Sequence, residues 1–250
     1  MVRSGKREAD DDEARFLESY DPSTFDRPSV AVDVVLLSAF EGALYTLLVQ
    51  RHEHPHKGRW ALPGTFVRLP ESLDDAAARA LRDKAGLSGV FLEQLFTFGA
   101  PRRDPRMRVI AVAYYALVDR RRFAAAAEHK PDVAACRLEV PWPDEEGGPV
   151  GAGDAAGAPL ALAFDHADIL GLAVKRLRGK LDYAPIGFQL LGELFTLYDL
   201  QRVHETILDR KLNKDSFRRR IVDSGLVKPT GRSQTGVGHR PAELYRFAKK

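Results

Sequence analysis

Residues 196–225 constrain this chain more than any other stretch, because two helix starts and two helix stops fall within them. Thr196 precedes a run in which Leu197, Leu200, Val203 and Ile207 return at three- and four-residue spacing, the period of one buried helical face. A threonine in front of such a run accepts from the free N–H groups of the first turn. That helix closes near Asp209. After Lys211 and Leu212, Asn213 is placed to cap a second helix, KDSFRRRIVDS, which Gly225 stops. Phe217 and Ile221 lie four residues apart on it and form a narrow apolar stripe, so Lys214, Arg218 and the flanks of Arg219 and Arg220 are left to face outward. LVKPTG, the Gly-bearing basic stretch RSQTGVGHRP and AELYRF follow as strand, loop and strand. Helix, short turn, helix and hairpin is the plan of a winged helix-turn-helix.

Charge sits where that plan needs it. The chain carries 38 Lys and Arg against 35 Asp and Glu, but residues 179–250 hold fourteen against eight and residues 211–250 eleven against three. A basic C-terminal part on an acidic remainder points to a polyanion bound by the former. A helix with three consecutive arginines suits the major groove, since arginine reads guanine bidentately and also holds phosphate. Lys211, Asn213, Lys214, Ser216, Arg218, Arg219 and Arg220, with Thr230, Arg232, His239 and Arg240 of the hairpin, are the expected DNA-contacting residues.

With 250 residues, 44% hydrophobic and 29% charged, two domains with real cores are expected. No apolar run reaches the roughly 20 residues of a membrane span, and the charged start MVRSGKREADDDEARF lacks the apolar centre of an export signal. Cys136 is the one cysteine, which fits a reducing, cytoplasmic setting and a small buried hydrophobe. Residues 1–15 read as a disordered tail, 16–179 as a first domain and 180–250 as the DNA-binding domain. RPSVAVDVVLLSAF and ALYTLLVQR are strands joined at Glu41-Gly42; FLEQLFTFG and VIAVAYYALV are two more, with the loop PRRDPRMR between them. Residues 143–159, rich in Gly, Pro and Ala, read as a flexible insertion. Asp165 is placed to cap a helix from about His166 to Leu177, with Gly179 as its stop.

From Gly64 to Leu87 the sequence resembles the Nudix hydrolase box, whose pattern is Gly, five residues, Glu, seven residues, then Arg-Glu-apolar-x-Glu-Glu-x-Gly-apolar. Glu71 sets the register, which places Arg79, Ala80, Leu81, Asp83, Lys84, Gly86 and Leu87 at the motif positions and Thr65 at the first glycine. Positions 80, 83 and 84 share a helix face and would carry the cation-binding glutamates. Here they are Ala, Asp and Lys, a formal charge of zero. At about 4 Å two like unit charges repel by roughly 4 kcal/mol at an effective dielectric of about 20, so Lys84 opposes cation loading. The same lysine offsets phosphate charge. Arg59, Arg68, Glu71, Lys84, Arg102, Arg103, Arg106 and Arg108 are the candidate ligand contacts, and Arg79 is expected to pair with Asp83 one turn on. His52, His54 and His56 lack the partners of a metal site, and GVGHRP follows no βαβ unit, so neither is taken as functional.

The C-terminal part resembles the Nudix-related transcriptional regulators, the NrtR family, through Phe195 to Leu197, Leu200-Gln201, Ile207-Leu208, Phe217 to Arg219 and Arg240 to Tyr245; LAFDH and RLRGKLDY resemble the joining region. The likeness runs from about residue 28 to 248, with Ser216, Arg220 and His204 as departures. It implies an α+β chain: a Nudix-like α/β/α sandwich with a mixed sheet, then a winged helix-turn-helix. It further implies a homodimeric repressor of NAD biosynthesis or salvage genes, released from a palindromic operator by ADP-ribose, with no cofactor or metal required and no catalysis. Two alternatives remain: an active Nudix pyrophosphatase acting on ADP-ribose, and a scaffold whose basic tail binds RNA or an acidic protein.

Overall fold

The computed structural model describes residues 12–248 apart from Asp182, Val237 and His239. Residues 12–19 form an exposed helix, α1, so that part of the expected tail is ordered; residues 1–11 lie outside the described residues. The first domain is built on β1 (Ser29–Phe40), β2 (Ala43–Gln50), β3 (Trp60–Ala61), β4 (Gly64–Phe66), α2 (Leu73–Ala85), β5 (Phe91–Phe98), β6 (Val109–Leu117), α3 (Arg120–Ala127), β7 (Val133–Glu139), β8 (Gly151–Gly153) and α4 (His166–Lys180). Strand order is β5-β6-β1-β2-β7-β8, with β3 on β2 and β4 on β1. β1 and β6 run parallel and the other pairs antiparallel, which is the mixed sheet expected.

Alternation along β1 sorts the layers. Val32, Val34 and Leu36 meet Ala76, Ala77, Ala80 and Leu81 of α2 and Phe123 of α3 on one face. Val35 and Leu37 meet Ile169, Leu170, Ala173, Val174 and Leu177 of α4 on the other. Side chains on a strand point to opposite faces in turn, so a near-continuous apolar run such as VAVDVVLL must be covered on both. Ser72 opens α2 by accepting from the Asp75 N–H at 3.1 Å, and Gly86 closes it in the left-handed region.

Two sequence expectations fail here. Residues 143–159 are not a loose insertion: β8 pairs with β7 from Glu139↔Gly151 to Arg137↔Gly153, and Val150 and Ala152 are fully buried. The Gly148 carbonyl lies 1.8 Å from where a Cβ on Gly171 would stand, so the segment is pressed onto α4. Gly179 does not stop α4, which continues to Lys180; its missing side chain leaves room for the Glu145 carboxylate, 2.8 Å from the Cβ position.

The second domain comprises α5 (Leu197–Leu208), α6 (Lys214–Asp223) and the hairpin β9 (Val227–Ser233) and β10 (Glu243–Phe247). α5 belongs to two cores at once. Leu197 and Leu200 pack with Phe188, Phe195, Phe217, Ile221, Val227 and Tyr245, whereas Val203 and Ile207 enter the cluster of β1, β2 and α4. The first helix of the C-terminal domain is therefore also a helix of the N-terminal one.

Candidate ligand cleft and nucleic-acid interface

Two adjoining hollows of about 300 and 370 Å³ open beside β1, β3 and β4 and share Arg51, Glu53, Ala61, Leu62 and Gly64. Asp33, Phe66, Arg103, Asp104, Arg106, Phe164 and His166 line the first, and His52, Lys84 and Asp132 the second. Their floor is tight. A Cβ on Gly64 would lie 2.5 Å from Asp33 Oδ1 and 2.9 Å from the Val32 carbonyl, so only glycine lets β4 lie this close to β1.

Arg103 is buried and held by Asp165 (Nη2–Oδ1 2.6 Å, Nε–Oδ2 2.9 Å) and by Asp33 (Nη2–Oδ2 3.4 Å). Burial disfavours its charge, but hydrogen bonds and attraction from Asp165 and Asp33 outweigh that and leave its pKa raised. His166 is buried below it, and its Nδ1 accepts from the Leu62 N–H at 2.9 Å. Desolvation pushes its pKa down, which keeps the ring neutral with its proton on Nε2, 4.0 Å from Asp33 Oδ1. Arg106 is paired with Asp104 at 2.7 Å and lies 5.8 Å over the Phe66 ring. Arg51 donates to the Pro55 carbonyl at 2.8 Å and lies 4.9 Å over the Phe164 ring. The cleft thus has two guanidinium–aromatic walls with Lys84 at its far lobe.

Of the ligand candidates named from sequence, Arg103, Arg106 and Lys84 line this cleft; Arg59, Arg68, Arg102 and Arg108 are exposed and line neither hollow. Glu71 is spent elsewhere. It accepts from Arg79 Nε at 3.0 Å and from the Arg68 N–H at 2.7 Å, while Arg79 also donates to Thr65 Oγ1 and the Phe66 carbonyl, both at 2.9 Å. The hydrogen bonds from Arg79, then from Arg68, hold the Glu71 carboxyl down at about 2. Arg79 therefore braces β4 against α2 through Glu71, and its expected partner Asp83 lies instead 3.7 Å from Arg82. Among positions 80, 83 and 84, Ala80 is buried and Lys84 alone lines the cleft. Among the described residues, no group of three His, Cys, Asp or Glu side chains is placed to hold a metal ion. The box helix does not fit the divalent cations that its pattern would imply. Asp33, Arg51, Phe164 and His166 were missed from sequence, because none lies in the box or in the arginine-rich loop; Phe164, a non-glycine at φ +51°, leaves no local signal.

On the other domain, Thr196 and Asp199 form a reciprocal cap at the start of α5, and Asn213 Oδ1 accepts from the Ser216 N–H at 3.0 Å to start α6. α6 buries Phe217 and Ile221 and exposes Lys214, Ser216, Arg218, Arg219 and Arg220. The turn before it is fixed by a buried carboxylate that sequence reading did not single out. Glu205 accepts from the Leu212 N–H (3.0 Å), Gln201 Nε2 (3.0 Å) and Arg202 Nη1 (3.0 Å), with Lys211 Nζ at 3.4 Å. Lys211 is thereby tied to the turn although mostly exposed. In the hairpin, Thr230 gives its hydroxyl to the Leu244 carbonyl at 2.7 Å, while Arg232 is exposed. Arg240 lines a hollow of about 630 Å³ between α5, α6 and the hairpin, together with Lys214, Arg218 and Tyr245. His239 lies outside the described residues.

The Leu212 N–H, then Gln201 and Lys211, hold the Glu205 carboxyl at about 2, below its ordinary 4.5. A depressed carboxylate stabilises the fold above its unfolded pKa and loses that contribution as pH falls through the folded one. Stability is therefore expected to decline between about 4.5 and about 2 more steeply in the parent protein than in Glu205→Gln, as read by urea midpoints across that range.

Both halves of the chain match known domain families. A NUDIX domain model covers residues 27–147, and an NrtR DNA-binding winged helix domain model covers 187–247. The ADPR responsive transcriptional repressor NtrR of Acinetobacter baylyi is 37% identical over 238 residues, 94% of this chain and 88% of that protein. The chain belongs to the NrtR family. Among solved NrtR structures, that of Shewanella oneidensis NrtR complexed with a 27mer DNA is similar with a TM-score of 0.73 and 34% identity, over 88% of this chain and 93% of that one. The ADP-ribose pyrophosphatase of Methanocaldococcus jannaschii is 36% identical over 87 residues, but these are 35% of this chain and 49% of the enzyme. Likeness to the repressors extends through both domains, with the winged helix presenting α6, whereas likeness to the enzyme covers about a third of the chain. No helix among the described residues is long and apolar enough to cross a membrane.

Proposed function

We propose that this protein is a cytoplasmic, homodimeric, ADP-ribose-responsive repressor of NAD biosynthesis or salvage genes, and that its Nudix domain binds the ligand without cleaving it. The observation that carries this reading is the pairing of a cation-hostile cleft with a shared helix. Lys84 enters the lobe where a cation would be needed, and α5 packs its two faces into the sensing and the reading domains. Arg51 and Lys84 supply positive charge to a diphosphate, while the rings of Phe66 and Phe164 supply stacking surfaces for a base. A dimer presenting two copies of α6 reads a palindrome with half-sites about 10 to 10.5 bp apart or a multiple of that.

Calorimetry checks the binding half. ADP-ribose is expected to bind with the same affinity in EDTA as in Mg²⁺, and Lys84→Ala is expected to weaken it; affinity that appears only with Mg²⁺ would show that the cleft recruits a cation after all. The enzyme reading is favoured by one observation, the partial likeness to a pyrophosphatase. Following AMP release from ADP-ribose with Mg²⁺ or Mn²⁺ separates the two: no turnover is expected, and rapid turnover would remove the repressor reading of this domain. A palindromic duplex from the region upstream of the protein's own gene, titrated as salt rises, tests the other half. Several phosphate contacts give a steep negative slope, whereas weak binding indifferent to sequence would favour the scaffold reading.

A further inference from the structure

α4 touches both functional parts of the molecule. Its first turn lies in the cleft: Asp165, just ahead of the helix, grips Arg103, and His166 accepts from Leu62. About 18 Å away by helical rise, its last turns carry Arg178. That side chain is buried, lies 4.9 Å over the Trp142 ring, and donates to three backbone carbonyls: Ile207 at 2.8 Å, Trp142 at 3.2 Å and Asp144 at 2.7 Å. Ile207 is in the last turn of α5, a turn without a basic residue of its own. The final carbonyls of a helix need partners and favour a positive charge, and here another domain's helix supplies both. The other two carbonyls belong to the segment between β7 and β8, and β7 begins beside Asp132 of the second lobe. Downstream, Glu205 of the same α5 fixes the turn into α6.

We propose that Arg178 is a positioning residue that transmits the state of the cleft to the reading head, with α4 as the rigid connection; this rests on the ADP-ribose reading above. A diphosphate oxygen in the first hollow offers Arg103 the same bidentate partner that Asp165 gives it. Exchange of one for the other shifts the start of α4. A packed helix moves as a body, so the shift reappears at Arg178 and re-aims the C-terminal end of α5. Arg178 is buried and lines neither hollow of the cleft, so its loss uncouples the two sites rather than emptying either.

The test measures dissociation constants of the palindromic duplex with and without saturating ADP-ribose, together with ADP-ribose affinity by calorimetry, for the parent, Arg178→Met and Arg178→Lys. In the parent the ratio of the two DNA constants is expected to lie in the range of about 5- to 150-fold. Arg178→Met is expected to bind ADP-ribose as the parent does while its ratio collapses towards one, and Arg178→Lys, which keeps a cation beside Ile207, is expected to recover part of it. A parental ratio in a folded Arg178→Met overturns the assignment. Should that variant not fold, hydrogen exchange in the unsubstituted protein decides: ADP-ribose is expected to alter exchange at Asp209 and Arg210, where α5 closes, and unchanged exchange there overturns it. A parent whose DNA affinity ignores ADP-ribose removes the functional reading and this inference with it, an outcome distinct from a responsive parent whose variants respond equally.

Discussion

Arg218→Ala and Arg219→Ala are each expected to weaken operator binding by about 5- to 150-fold, the loss of one bidentate contact of about 1–3 kcal/mol. Both side chains are exposed: Arg219 lies opposite Phe217 and Ile221, and Arg218 borders the hollow beside Tyr245, so truncating either removes surface contacts without taking an apolar group from the core. Fluorescence anisotropy of a labelled operator gives the loss directly. If either arginine holds phosphate rather than a base edge, the same change weakens all sequences alike and lowers the salt slope by about one. ADP-ribose affinity is expected to stay at the parental value; an equal fall in both affinities would indicate misfolding and withdraw the assignment of α6.

Arg103→Ala is expected to destabilise the N-terminal domain by about 3–5 kcal/mol, the usual consequence of removing one member of a buried ion pair. The cost arises in what stays behind: Asp33 and Asp165 lose the guanidinium that bridges them beside the buried ring of His166. Urea unfolding of parent and variant measures this. A midpoint unchanged by the substitution would mean that water already reaches both carboxylates, and that Arg103 is free to act as a simple ligand contact. Arg106, whose own partner Asp104 is adjacent in the loop, is expected to be replaceable at far lower cost.

Much of the reading head was legible because its signals are local. Thr196, Asn213 and Gly225 act within a turn of themselves, and the spacing of Leu197, Leu200, Phe217 and Ile221 is a property of one helix at a time. The register of the box was legible for the same reason, since Ser72, Glu71, Arg79 and Gly86 fall within sixteen consecutive residues. Where the reading failed, the deciding partner was remote. Arg79 chose Glu71 over Asp83, because Glu71 is held in front of it by the Arg68 N–H, whereas Asp83 points into solvent. Residues 143–159 look loose by composition, yet the open edge of β7 recruits 151–153 as β8, and the buried Val150 and Ala152, the Gly148–Gly171 approach and the Arg178 bond to the Asp144 carbonyl seat the segment. α3 went unassigned because RRRFAAAA offers only Phe123 and Ala126 to the core, too few to show a period.

Sequence alone determined that a basic helix follows a capped helix, and that the box helix bears a lysine where the pattern it resembles has a glutamate, since both are read along one segment. Only the tertiary structure decided which arginines enter the cleft, that Glu205 sets the turn, and that α5 serves two cores with Arg178 at its end. Caps and periodicities act over one helical turn, whereas a cleft, a buried ion pair and a shared core join residues tens of positions apart, and their energies exist only once the chain has folded.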